Sequence, residues 1–165
     1  MSMTRRLRSI VLPVLVFSFA PQTARAQKQG ETYAQRLVND FVRRHSEVTA
    51  VELAIISDRG CATLAATDPK DVGEKCDDDE KGPIRTGQPD VEAPSKDDPV
   101  YDITQALHDS AGRLIGAVGM DIKPNAAPDR AGVLARAKAL LQELEAQIPS
   151  KEKLFERTSA GARTP

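Results

Sequence analysis

The sequence predicts an α+β domain built on an antiparallel sheet of about five strands. Two stripes of apolar residues at helical spacing stand near either end of the segment 31–149. Between them lie two pairs of short β-rich segments, each pair joined by a turn that contains glycine. The order helix, hairpin, irregular connector, hairpin, helix pairs the strands antiparallel and sets the helices outside the sheet.

The chain opens on MSMTRRLRSIVLPVLVFSFAPQTARAQ, where Arg5, Arg6 and Arg8 precede an apolar run from Ile10 to Ala20. That run is about half the ~20 residues that span a bilayer, and it meets the small-x-small pattern Ala24-Arg25-Ala26. Residues 1–26 therefore read as a cleaved secretory leader, and a periplasmic or secreted product is expected. No cysteine follows the run to accept a lipid, and no later stretch is apolar and long enough to cross a membrane. Cleavage removes Arg5, Arg6, Arg8 and Arg25 from a chain with 23 basic and 24 acidic residues, so the product is acidic. It has no basic face for nucleic acid. Only Tyr33, Phe41, Tyr101 and Phe155 remain as aromatics, with no tryptophan, which argues against a carbohydrate-stacking groove. Residues 27–149 have the length of a single domain.

The first helix is expected over Glu31 to Glu47, where Tyr33, Leu37, Val38, Phe41, Val42 and His45 fall at three- and four-residue spacings. A β-branched run from Val51 to Ser57, the turn Asp58-Arg59-Gly60 and a second run from Cys61 to Thr67 make the first hairpin. The connector from Asp68 to Asp98 is punctuated by proline and glycine. A helical turn is expected at Pro69 to Lys75, with Thr67 or Asp68 as its cap, and one short strand near Pro89 to Ala93. Val100 to Leu107 and Leu114 to Lys123, joined through Gly112, form the second hairpin. Asp129 then opens a helix that carries Val133, Leu134, Ala137, Leu140, Leu141, Leu144 and Ile148 on one stripe. Residues 150–165 are polar and read as a flexible tail.

Cys61 and Cys76 are the only cysteines. They are too far apart for a CxxC couple and lack the further ligands of a zinc site. A structural disulfide, free thiols and redox chemistry are the alternatives, and the expected oxidising compartment favours the disulfide. Closing that loop stabilises by about 3 kcal/mol in the chain-entropy picture.

Three stretches resemble the extracytoplasmic Cache family, the PDC sensor domains with a PAS-like fold. VELAIISDRGCATLAATDPKDVGEKC is similar to the family's strand, D-x-G turn, strand and T-D-P segment. PVYDITQALHDSAGRLIGAVGMDI is similar to its final hairpin, with a D-x-x-G turn and an I-G-x-x-G-x-D-I strand, and a helix precedes both. The resemblance covers roughly Tyr33 to Lys123. It implies a sheet order of 2-1-5-4-3, a small-molecule pocket between sheet and connector, and use as a sensory input to a membrane-bound signalling protein. No second span or output domain accompanies these stretches, so binding without an output of its own is expected.

Alternation along the last strand puts Ile115, Ala117, Gly119 and Asp121 on one face. Ala117 and Gly119 leave a hollow and Asp121 puts a carboxylate at its rim. The resemblance implies that Asp121 holds a ligand's ammonium group. A carboxylate ligand is equally open, because Arg85 and Thr86 in PIRTG offer a clamp and Tyr101 a hydrogen-bond donor. Each has a plainer role: Asp121 closing the strand, Arg85 in solvent, Tyr101 in the core. Asp77, Asp79 and Gly82 match the first, third and sixth positions of a calcium loop, but Lys81 and Gln88 fail at the fifth and twelfth. The acidic run therefore reads as solubilising, and no metal or other cofactor is implied.

The expected function is a sensor-type domain for a small polar metabolite: a carboxylate, an amino acid or an amine. The alternative is an interaction module that uses the sheet and the last helix, whose wide leucine stripe also suits a homodimer. No nucleophile, paired-carboxylate or phosphate-loop motif appears at a supporting spacing, and neither His45 nor His108 has a partner that makes it a base, so an enzyme is not expected.

Overall fold

The computed structural model of the chain describes residues 31–127 and 129–158. The expected leader, residues 1–26, lies outside them. Helix α1 spans Tyr33–Arg44. Thr32 starts it by accepting a hydrogen bond from the Gln35 amide at 3.1 Å, which satisfies one of the donors that a helix start leaves unpaired. The apolar spacing buries Ala34, Leu37, Val38 and Phe41. Burying Phe41 alone is worth about 2–3 kcal/mol.

Five strands follow: β1 (Val48–Ser57), β2 (Gly60–Ala66), β3 (Asp90–Glu92), β4 (Tyr101–His108) and β5 (Leu114–Ile122). Every neighbouring pair is antiparallel, and the order is β2-β1-β5-β4-β3. Fold class and strand order are those expected. Both hairpins turn at a glycine with left-handed backbone, Gly60 at φ 109° and Gly112 at φ 76°. In the second turn Asp109 is buried, and its carboxylate accepts from the amides of Ala111 and Arg113, both at 3.0 Å, and from Arg113 Nε at 2.7 Å.

The two faces of the sheet differ. Val51, Leu53, Ile55, Ile103, Leu107, Val118, Met120 and Ile122 belong to the core that α1, α3 (Arg130–Glu145) and α4 (Lys151–Phe155) complete. Asp129 caps α3 by accepting from the Gly132 amide at 2.7 Å. Val133, Ala137, Leu140 and Leu144 are buried, so the leucine stripe serves the chain's own core. The opposite face carries smaller and more polar side chains, and α2 (Asp78–Thr86) packs over β3, β4 and β5 there.

Three expectations change. The connector past Cys76 is not mainly loop, because α2 forms within it. Asp77 accepts from the Asp79 amide at 2.9 Å, Glu80 reaches back to the Asp77 amide at 2.8 Å, and Gly87 ends the helix at φ 70°. The helical turn expected at Pro69 to Lys75 is instead a run of turns. The start of the expected tail is structured: Leu154 is fully buried, the Tyr33 amide donates to Glu156 O at 2.8 Å, and the Thr158 amide donates to Glu31 O at 2.8 Å. Two adjacent apolar residues among charges, Leu154 and Phe155, gave the last segment no periodicity to read. No helix among the described residues is long and apolar enough to cross a membrane.

Candidate functional site

Antiparallel register lines up side chains across the strands. On the face beneath α2, Ala50, Asp121 and Asp102 stand opposite one another on β1, β5 and β4. The next rung is Glu52, Gly119 and Thr104, and the one after it is Ala54, Ala117 and Ala106. Gly119 thus leaves a gap between Glu52 and Thr104, and a Cβ placed there would lie 3.6 Å from Thr104 Oγ1 and 3.9 Å from Glu52 Cβ.

A cavity of about 380 Å³ occupies this gap. Its floor is Glu52, Asp102, Thr104, Gly119 and Asp121, and its wall is Asp68 and Asp71 from the connector with Asp77, Asp79 and Glu80 from the start of α2. No lysine, arginine or histidine lines it. The volume falls in the range of about 300–1,000 Å³ that small-molecule sites occupy. Thr104 is only 7% exposed, and its hydroxyl has no hydrogen-bond partner among the described residues. Its oxygen is open to the cavity, where the hydroxyl can donate to or accept from whatever fills it.

Carboxylates in this setting resist ionisation. Burial and then the charges of Asp121, Glu92, Asp79 and Asp98 push Asp102 up to about 6. Burial, followed by Asp98, raises Asp121. The two residues stand side by side on β4 and β5, and the Asp121 charge adds to the rise at Asp102. Burial also raises Glu52, opposed by the Thr63 hydroxyl that donates to its carboxylate. These groups lack a cation: among the described residues Asp102 and Asp121 make no ion pair. No group of three or more His, Cys, Asp or Glu side chains among the described residues is placed to hold a metal ion.

Of the residues singled out from the sequence, Gly119 and Asp121 line the cavity. Ala117 does not: it is fully buried in the alanine rung, so packing fills the space that its small side chain was expected to leave open. Tyr101 pairs with Ile122 and packs against the core on the other face. Arg85 and Thr86 are exposed near the far end of α2, where the Thr86 hydroxyl donates to Gly82 O at 2.9 Å. The clamp expected of Arg85, Thr86 and Tyr101 is therefore not assembled. His45 lies 3.1 Å from Glu143, and His108 lies 3.0 Å from Glu145, both glutamates on α3. Glu52 and Asp102 were missed although the signal that drew attention to Asp121, a carboxylate inside an apolar strand, was present at both. The acidic run is more than a solvated face, since Asp77 caps α2 and Asp79 and Glu80 face the cavity.

Cys61 and Cys76 form a disulfide, with Cα atoms 5.4 Å apart. It joins β2 to the residue just before the α2 cap.

No protein-family model matches the sequence, and no curated protein is significantly similar to it. The likeness found is structural. The chain is similar to the GAF domain of a two-component sensor histidine kinase from Bacillus halodurans, with a TM-score of 0.50 and 8% identity over 72% of this chain and 95% of that one. It is also similar to a GAF domain/HD domain protein from Geobacter sulfurreducens, with a TM-score of 0.51 and 16% identity over 75% of this chain and 96% of that one. The resemblance to Cache domains is thereby corrected: the solved structures are GAF domains, a different family with a PAS-like sheet. The motifs that suggested Cache are local demands of the hairpins. Gly60, Gly112 and Asp109 build turns, and a Cβ on Gly116 would lie 1.9 Å from Ala54 O.

Proposed function

We propose that this domain is a small-molecule-binding module of the sensor type whose ligand is a small organic cation of the amine class. The observation that carries this is the cavity beneath α2: carboxylates on floor and wall, no basic side chain, and the Thr104 hydroxyl, unpaired among the described residues and open to the cavity. An ammonium group carries three donors and no acceptor, which suits a site made of acceptors. Its charge also offsets the repulsion that keeps Asp102 and Asp121 from ionising together. Of the ligand classes expected from the sequence, a carboxylate meets like charge at every wall, and the basic clamp it needs lies elsewhere.

The GAF-like fold supports the sensor aspect by analogy of fold alone. The function is binding rather than catalysis: both histidines are engaged with α3, and neither lines the cavity. The disulfide supports residence in an oxidising, extracytoplasmic compartment. Fractionation of cells that express the full chain tests this, and a full-length product confined to the cytosol would refute it.

A thermal-shift screen tests the ligand class with amines, amino acids, organic acids and calcium as separate arms. An amine at a hundred times its Kd adds about 2.7 kcal/mol, a rise of about 8 °C for a domain of this size. Amines should raise the midpoint and organic acids should not. If only organic acids or calcium do so, or no compound does, the amine assignment is wrong.

A further inference from the structure

We infer that the Cys61–Cys76 pair is a thiol–disulfide exchange site whose oxidation assembles the acidic cavity; this rests on the amine-binding reading and adds its control.

The wall of the cavity hangs from this bond. Asp68 and Asp71 lie inside the loop that the disulfide closes, between cysteines 15 residues apart, and Asp77, Asp79 and Glu80 follow Cys76 directly. The floor belongs to β1, β4 and β5, strands paired on both sides within the sheet. β2 is an edge strand, and the connector is held along its outer edge by a few backbone bonds: Gly73 N to Thr63 O at 2.9 Å, Thr63 N to Glu74 O at 2.9 Å and Cys76 N to Cys61 O at 3.2 Å. The acidic groups on the wall repel those on the floor, since Asp71 and Asp77 both raise Glu52, and Asp79 raises Asp102. Without the covalent tie, that repulsion acts on a segment held to the β2 edge by these bonds, with Thr67 bonded to Val51 at one end and α2 packed on β4 and β5 at the other.

The bond is also placed for exchange. Both cysteines line an open groove of about 640 Å³ that carries Arg59, Lys75 and Lys81 and no carboxylate. Cys61 is partly exposed and presents its sulfur for attack, whereas Cys76 is buried beneath it. Cations beside a thiol stabilise its thiolate, the form that attacks a disulfide. In the reduced chain one cysteine thiolate attacks a sulfur of an external disulfide, forms a mixed disulfide and releases one thiol. The second cysteine then attacks the mixed disulfide, closes the Cys61–Cys76 bond and releases the second thiol. Two chain thiols and one external disulfide thus become one chain disulfide and two external thiols, and two electrons and two protons pass to the external pair. A chain still reduced holds a loose wall, and exposure to an oxidising compartment completes the site.

The test is calorimetric titration of the full chain with 1,4-diaminobutane in three forms: oxidised, reduced with dithiothreitol, and carrying Cys61→Ser with Cys76→Ser. Hydrogen exchange is followed on each form below its melting temperature. The expected result is a loss of affinity of at least tenfold in the reduced and serine forms, with faster exchange confined to residues 67–80. Equal affinity in all three forms overturns the inference and leaves the amine reading standing. An oxidised protein that binds no diamine overturns the amine reading, and this inference with it. Exchange that quickens throughout β1, β4 and β5 on reduction shows global unfolding and also overturns the inference, because the control proposed is local.

Discussion

Two glycines three residues apart on β5 have opposite reasons to be glycine, and substitution separates them. A Cβ on Gly116 would meet Ala54 O at 1.9 Å and Ala54 C at 2.9 Å, backbone atoms of a strand that has no room to retreat. Gly116→Ala should cost about 3 kcal/mol, read as a fall in the urea midpoint. A Cβ on Gly119 meets only ordinary contacts at 3.6 Å and 3.9 Å, so Gly119→Ala should leave stability within about 1 kcal/mol while its methyl fills the cavity floor and weakens amine binding. Equal costs for the two variants would contradict this division. Asp102 is the sharper case. Its carboxyl, pushed up to about 6, ionises at neutral pH against burial and neighbouring charge. A shift of that size converts to about 3 kcal/mol, which partial exposure and screening reduce to about 1 kcal/mol. Asp102→Asn should therefore stabilise the free protein by about 1 kcal/mol at pH 7.5 and at the same time weaken amine binding at least tenfold. Thermal midpoints with and without diamine check both halves. A variant that gains stability and keeps full affinity would remove Asp102 from the site.

At the scale of elements, α2 links local capping to the cavity. Asp77 begins the helix through its bond to the Asp79 amide, and the same residue forms part of the wall. Asp77→Ala should destabilise by about 1 kcal/mol. Because the helix is short and buries only Pro83, the loss should appear as faster hydrogen exchange over 78–86 rather than as a broad fall in midpoint. The element also shows what sequence could disclose. The hairpins and both flanking helices were legible because alternation and 3.6-residue spacing survive wherever one face is buried, as along Leu37, Val38 and Phe41 or Ile103 and Leu107. α2 was not, because its residues DDEKGPIRT carry Gly82 and Pro83 in mid-helix and almost no apolar stripe; only the capping pair Asp77 and Glu80 marked it. The site divides the same way. Gly119 and Asp121 were readable as anomalies within one strand. The partnership of Asp121 with Asp102, and of Glu52 with Thr104 across Gly119, depends on register, which no single strand records.

For the whole molecule, two groups of carboxylates oppose each other as pH changes. Glu52, Asp79, Glu80, Asp102 and Asp121 are raised in the folded state, chiefly by burial. A raised acid binds its proton more tightly folded than unfolded, so its contribution is present at low pH and lost as pH climbs through the folded value. Glu47 and Asp109 behave in the reverse sense. Burial pushes both up, but hydrogen bonds from Arg136 to Glu47, and from Arg113 to Asp109, hold them below their ordinary values, so their contribution is lost as pH falls. The free protein should therefore gain stability on going from about pH 7 to about pH 5, as Asp102 takes up its proton, and lose it below about pH 4, when the lowered groups protonate. A bound amine reverses the first limb, because it requires Asp102 and its neighbours ionised and must displace their protons to bind. The difference between midpoints with and without diamine should thus be largest near pH 8 and shrink through about pH 6, where one proton taken up per ligand lost sets the slope. Midpoints measured across that range at fixed ionic strength give both curves. A ligand-induced rise that stays constant from pH 8 to pH 5 would mean that the diamine sits away from these carboxylates, whatever its affinity.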